Sequence, residues 1–398
     1  MSVLYISYDG ILEPLGQSQV LAYLNFLSKH RRIYLISFEK PEDWDNASER
    51  NRITASVAAS GILWYPLRYH KKPSSLATLW DIVCGFATGL FLVLRYRLRI
   101  VHARSYVSSV IALLLKRFTG VKYVFDMRGF WADERVDGGL WPKGGSLYRA
   151  AKWFERHFLL NADLVVSLTH AAVTEINTFS YLQGKIIPFE VITTCADLNL
   201  FHPRQMDSLS HPSDRPFTLG YVGSVGVWYL FDETLRCFKL LRKQVPDARL
   251  YIVNRGGHAF IHERLQAMGI APDLVRIEAA DPGGVALAMQ EMDAGIFIIK
   301  PVYSKIASAP TKLGEFLGCG VPCLGNTGVG DMAAILENEQ VGVALNSFDD
   351  ASMSQAITRL LELTKKEDIK TRCRSVALRY YSLDEGVRRY ASIYKRLE

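Results

Sequence analysis

What most constrains this chain is an alternation that runs, stops and starts again. Short apolar runs at Val3–Tyr8, Ile33–Phe38, Ile100–Ala103, Tyr123–Asp126 and Leu164–Leu168 are separated by stretches of helical length. Apolar runs of strand length between amphipathic crossovers predict a parallel sheet covered by helices. The polar segment Arg204–Pro216, with Pro212 and Pro216 among Ser, Asp and His, interrupts the pattern and reads as a linker. Beyond it, PFTLGYVGSVG predicts a strand entering a glycine-rich turn, followed by a helix over Leu230–Gln244 and strands at Leu250–Val253 and Ala294–Ile299. The expectation is an α/β chain with a domain over 1–203, a linker over 204–216, a second domain over 217–380 and a last helical segment over 381–398. A chain of 398 residues is long enough for two such cores.

Composition narrows the class. With 49% hydrophobic and 22% charged residues the chain is a folded globular protein without a low-complexity tract. A net charge of +7 and a pI near 9.0 call for an anionic partner. Lys and Arg are dispersed among apolar positions, which argues against a nucleic-acid arm and leaves a phosphate-rich ligand or a membrane surface. The six cysteines show no framework spacing, and the opening VLYISY has no signal-peptide pattern, so reduced thiols and a cytoplasmic site are expected. Leu76–Leu98 is the most apolar stretch. Its uncharged core, Ile82–Leu94, falls short of a membrane span and Asp81 precedes it, so the sequence predicts a buried helix of the first domain. Arg95, Arg97 and Arg99, with Arg31 and Arg32, leave peripheral contact with an anionic membrane open.

In open parallel sheets ligands bind beyond the carboxyl ends of the strands, so chemistry is sought there. The first domain offers Arg104 after one strand and Asp126, Arg128, Trp131, Asp133 and Glu134 after the next. Asp126 with Arg104 or Arg128 is equally an ion pair of structural purpose, and Trp131 is as readily packing as a sugar platform. Gly16, in the turn after the first strand, permits close approach of backbone to a ligand. In the second domain Gly223 and Ser224 sit in the glycine-rich turn, while Arg255, Lys300, Lys305 and Lys312 offer a cationic clamp. The densest constellation is SAPTKLGEFLGCGVPCLGNTGVGD, Ser308–Asp331. Pro310 suits a helix's first turn, with Ser308 as N-cap, and the free N–H groups there form an anion site. Thr311 and Lys312 place a hydroxyl and a cation on that turn, with Glu315 one turn on. Phosphates want the first set, and ribose hydroxyls want the carboxylate.

The run P-T-K-L-G-E-F-L-G-C-G-V-P resembles the donor-site motif of the retaining GT-B glycosyltransferases of family 4, and Lys305–Lys312 with YDGILEPLGQSQV resembles members of polysaccharide assembly. The resemblance implies two Rossmann-like domains facing across a cleft, with a last helix crossing back to the first. It implies transfer of a sugar from a nucleotide-diphospho-sugar, with retention, to a lipid-linked glycan, in a hexosyltransferase of the cytoplasm or the inner face of the plasma membrane. It places Glu315 on the donor ribose and carries Asp126, Arg128 and Lys305 as catalytic candidates, without metal or other cofactor. The sequence departs from the family at Ala307, where a first Glu is usual; at Asp126, where His is usual; at Thr194-Cys195, where Asn-Gly is usual; and in the Gly223 loop, which lacks the usual Arg and Lys. A nucleotide-sugar epimerase of the same fold and a catalytically silent partner subunit stay open as alternatives.

Overall fold

The computed structural model describes residues 2–204 and 215–398. Most of the expected linker lies outside the described residues. Two compact units emerge: Met1–Thr193 with Gly386–Glu398, and Thr194–Glu385.

In the first unit seven strands form one sheet: β1 Ser2–Ser7, β2 Arg32–Glu39, β3 Leu63–Arg68, β4 Ile100–Arg104, β5 Lys122–Asp126, β6 Leu164–Ser167 and β7 Phe189–Val191. The order is β3-β2-β1-β4-β5-β6-β7, parallel throughout, with Val3 paired to both Ile33 and Ile100. The order reverses between β1 and β4, the place where a doubly wound sheet opens a crevice at its strand ends. Both faces of the central strands are buried, which is why their sequences run apolar without alternation. The strand β3 escapes the sequence pattern because LWYPLR carries Pro66, which an edge strand tolerates. The helix expected after β1 opens with a wide turn over Gln17–Leu21 before Ala22–Leu27.

The apolar stretch forms one helix, Ser74–Tyr96, long and apolar enough by length and composition to cross a membrane. It is not the buried helix expected from the sequence. One side packs on the unit, and Asp81, fully buried, accepts hydrogen bonds from the Tyr8 hydroxyl (2.8 Å) and from the His70 amide (3.2 Å), with the His70 ring at 2.6 Å. The other side is open to solvent.

The second unit holds β8 Thr218–Val222, β9 Arg249–Val253, β10 Val275–Glu278, β11 Ala294–Ile296, β12 Cys323–Asn326 and β13 Gly342–Leu345, all parallel, in the order β10-β9-β8-β11-β12-β13. The strand expected over Ala294–Ile299 ends early because Ile299 turns to the Asn326 side chain, donating to its Oδ1 (2.8 Å) and accepting from its Nδ2 (2.9 Å). Residues 194–203 group with this unit, not with the first. Ala196 bridges to Ser382, and the Arg374 guanidinium donates to the carbonyls of Leu198, Phe201 and Gly318 at 2.8, 2.6 and 3.1 Å. The last helix, Leu383–Leu397, runs from the second unit into the first, where Tyr390 and Tyr394 are buried.

Candidate functional site

Three segments of the second unit meet around Lys312. The first is the turn after β8, where Gly223 takes φ +118°, a conformation glycine adopts freely. A Cβ there would stand 2.2 Å from the Lys312 Cε and Nζ, so this glycine makes room for the lysine. Asn254, at the end of β9, holds the turn through its Nδ2 to the Gly223 carbonyl (2.7 Å) and accepts on Oδ1 from the Gly256 and Gly257 amides. Ser224 is exposed and its carbonyl accepts from the Tyr221 hydroxyl (2.6 Å). The second segment is the short turn Tyr303–Ala307, and the third is the helix Thr311–Gly318.

Pro310 is itself the N-cap of that helix, with extended backbone (φ −66°, ψ 120°), and no side chain caps it. The expected cap at Ser308 is therefore wrong: Ser308 is extended, its amide spent on the Lys305 carbonyl (3.1 Å). The first-turn amides are therefore without a side-chain cap.

Two adjacent aromatics from the β8 turn seat two lysines. The Lys305 Nζ lies 3.7 Å from the Trp228 ring centroid, and the Lys312 Nζ lies 3.7 Å from Tyr229 and 5.5 Å from Tyr221. Such contacts hold a cation without neutralising it. The Lys312 Nζ is sealed from solvent and no described residue accepts a hydrogen bond from it. Burial lowers its pKa to about 7, against which Glu315 pulls upward. Glu315, one turn further on, is raised to about 7 by burial, moderated by Lys312. A buried donor without an acceptor beside a destabilised carboxylate is costly in the free protein, and such strain concentrates at functional sites. The remaining expected cations lie apart in kind. Lys300 is exposed, its amide donating to the Trp228 carbonyl, and Arg255 is exposed with its Nε 3.4 Å from the Ala280 carbonyl. Ala307 is buried at the position where the resemblance has its first Glu.

In the first unit the end of β5 carries a second constellation. Asp126 is buried, and its Oδ2 accepts from the Tyr390 hydroxyl (3.0 Å) and from the His102 ring at 3.4 Å. The other His102 nitrogen, Nδ1, lies 2.7 Å from the Tyr394 hydroxyl, which fits a neutral ring donating from Nε2; burial holds its pKa low. Burial pushes the Asp126 carboxyl upward, but Arg128, His102 and Arg104 together outweigh it and hold it below its usual value. Its Oδ1 has no partner among the described residues. The ion pair weighed for Asp126 is not formed with either arginine: Arg104 and Arg128 both donate to the Gln19 Oε1, at 2.9 and 3.1 Å, and Arg104 also reaches Asp9.

Gly16, Trp131 and Asp133, also expected at the site, have contacts that serve the fold. Gly16 serves the fold, since a Cβ there would meet the Gly10 carbonyl oxygen at 2.0 Å. Trp131 is packed against Tyr106 and Trp141, ring centroids 5.4 and 5.1 Å away. The Asp133 carboxylate is engaged by Tyr148 (2.9 Å) and Lys152 (3.0 Å), so it is not offered to an acceptor; Glu134 lies half-buried on the same turn. Sequence reasoning missed Trp228, Tyr229 and Asn254, whose only signal was their place after β8 and β9, and missed Gln19, Tyr390 and Tyr394 altogether as site residues, while His102 was marked only by its place in the tail of β4.

Comparison with known families decides what this geometry belongs to. Residues 38–188 match a family model described as a glycosyl transferase 4-like domain, and residues 216–363 match one described as glycosyl transferases group 1. A sucrose-phosphate synthase from Thermosynechococcus elongatus shares the fold over 100% of this chain and 99% of its own, with a TM-score of 0.72 at 14% identity. The chain belongs to the GT-B glycosyltransferases of the family 4 type. The lipopolysaccharide outer core galactosyltransferase WaaB superposes on this glycosyltransferase over 100% of both chains (TM-score 0.66, 12% identity). Anabaena HepE, solved in complex with UDP-glucose, does so over 100% of both chains (TM-score 0.65, 14% identity). At these identities the likeness is one of fold. No curated protein matches the sequence.

Proposed function

We propose that this glycosyltransferase transfers a hexose from a nucleotide-diphospho-sugar to a lipid-linked glycan, with retention of configuration, in the assembly of a cell-surface polysaccharide. One observation carries the donor half of the proposal: the sealed, unpartnered Lys312 ammonium at an uncapped helix start, one turn from a desolvated Glu315. A diphosphate supplies the acceptor that Lys312 lacks, and the ribose hydroxyls supply donors to Glu315. The solved complex of HepE with UDP-glucose supports a donor of this class. In the proposed reaction the bond from the anomeric carbon to the diphosphate oxygen breaks as the acceptor hydroxyl oxygen bonds the same carbon from the same face. The hydroxyl proton passes to the departing phosphate. Lys305, Lys312 and the first-turn amides take the charge that develops on the diphosphate, a role for which no metal is invoked. In the first unit the unpartnered Asp126 Oδ1 receives a hydroxyl of acceptor or sugar, and Arg128 keeps that carboxylate ionised.

The buried Ala307 keeps a silent partner subunit as the second reading, since no carboxylate can reach the sugar from that position. Incubation of the protein with a radiolabelled nucleotide sugar and a membrane extract tests both. Label in the lipid-extractable fraction is the expected result. Label in an epimerised nucleotide sugar, or only in unchanged donor, would overturn the proposal.

A further inference from the structure

The helix Ser74–Tyr96 is apolar on both of its sides, yet only one is covered. Its inner side is fastened to the first unit. Gly85 and Gly89 bring it so close to the helix Ser105–Thr119 that an added Cβ would meet Ile111 at 2.6 Å and Leu115 at 2.9 Å, and Asp81 is held by Tyr8 and His70. To span a bilayer the helix would have to abandon these contacts and carry Asp81 into hydrocarbon, so a transmembrane role does not fit.

The outer side is a stripe at helical spacing: Leu76, Trp80, Val83, Ala87, Phe91 and Leu94 are all exposed, Trp80 and Phe91 at 57% and 58%. From Leu76 to Leu94 the stripe is about 27 Å long at the helical rise per residue. Phe118, at the end of the neighbouring helix and 68% exposed, continues it through a ring contact with Phe86 (5.6 Å). Contiguous apolar surface of this extent marks a binding face. What surrounds it selects the occupant. Lys71 and Lys72 stand exposed before the helix, and Arg95, Arg97, Arg99 and Arg117 stand exposed at its far end. Asp81 is the one acidic residue on either helix, and it is buried. A second copy of this face would bring cations against cations, whereas an anionic lipid surface satisfies the apolar stripe and both basic ends together.

We propose that this face is a membrane-docking surface, on which Ser74–Tyr96 lies in the plane of an anionic bilayer with Trp80, Phe91 and Phe118 among the acyl chains and the lysines and arginines at the headgroups. It shares only the membrane with the proposed function, and its test needs no sugar donor, so the two fail separately.

The test is co-sedimentation of the full chain with vesicles of phosphatidylcholine alone or mixed with phosphatidylglycerol. The parent is expected to pellet with the mixed vesicles, to be released by high salt without detergent, and to pellet far less with phosphatidylcholine alone. Trp80→Glu with Phe91→Glu, and separately Arg95→Glu with Arg99→Glu, should each weaken binding by about tenfold or more. Both pairs are exposed, so thermal melting should match the parent and exclude misfolding. Brominated acyl chains should quench the parent's tryptophan fluorescence and quench Trp80→Phe less. Undiminished pelleting of the folded variants, or equal pelleting on neutral lipid, would overturn the proposal. So would a parent that ignores vesicles but forms a dimer that Trp80→Glu with Phe91→Glu dissociates, which would make the face an interface between copies.

Discussion

If Lys312 meets a diphosphate, binding of the donor must move protons, and the direction must change with pH. In the free protein burial brings Lys312 down to about 7 from 10.5 and Glu315 up to about 7 from 4.5. The Lys312 displacement corresponds to about 5 kcal/mol of penalty on the ammonium, which a diphosphate can relieve. Between pH 7 and the ordinary lysine range the free protein lacks a proton on Lys312 that the complex holds, so binding takes one up. Below pH 7 the free protein holds a proton on Glu315 that a ribose-bound carboxylate has lost, so binding releases one. The net count should therefore be close to one proton released near pH 6, near zero around pH 7, and about one taken up near pH 8.5, where affinity falls about tenfold per pH unit. Calorimetry with UDP-glucose in buffers of different ionisation enthalpy reads this directly, since the donor's diphosphate diester does not titrate in the range. Lys312→Met should abolish the uptake and leave the release. Uptake that persists in Lys312→Met, or no pH dependence at all in the parent, would mean that Lys312 does not meet the diphosphate.

The same pair shapes stability without ligand. From pH 4.5 to 7 the folded chain keeps a Glu315 proton that the unfolded chain loses, so stability falls as pH rises; from 7 to 10.5 the unfolded chain keeps a Lys312 proton that the folded chain lacks, so stability rises. Denaturant titrations should show a minimum near pH 7 that Lys312→Met with Glu315→Gln flattens. Gly223→Ala forces a non-glycine residue to φ +118° and a Cβ onto Lys312; a loss of about 1–3 kcal/mol in unfolding experiments and weakened donor binding are expected. Asp126→Asn should lower kcat more than it raises the donor KM, while Tyr390→Phe, which removes one partner of the same carboxylate, should do so more weakly. Steady-state kinetics on the two folded variants would contradict this if only KM moved. Arg374→Ala strips three carbonyls of their donor and should cost about 2–4 kcal/mol in chemical denaturation, with donor binding unchanged.

How much of this was legible depended on distance along the chain. The two parallel sheets were visible because strands such as β1 and β9, buried on both faces, are continuous apolar runs. Half-exposed edge strands such as β3 and β10 carry no such signature, and the latter, VRIE, is half charged. Thr311, Lys312 and Glu315 could be grouped from sequence because one helical turn joins them. Trp228 and Tyr229 could not, because only the folded sheet brings the turn after β8 to the helix after β11. The Asp126 cluster was legible only in part, since its Tyr390 partner arrives 264 residues later on the closing helix. Ser308 misled because Ser-x-Pro reads as a cap two residues ahead of the helix's first turn, whereas the helix begins at Thr311 with Pro310 as its N-cap.

Glu315 and Lys312 are expected to grip one nucleotide at its two ends, and calorimetry of nucleosides against nucleoside diphosphates reads both contacts. A charge-assisted hydrogen bond is worth about 1.5–3 kcal/mol, so Glu315→Ala should weaken UDP by about one to two orders of magnitude. Lys312→Ala should weaken UDP and leave uridine as it was. If Glu315→Ala, folded as judged by its melting, binds UDP as tightly as the parent, the ribose is held elsewhere and the account fails.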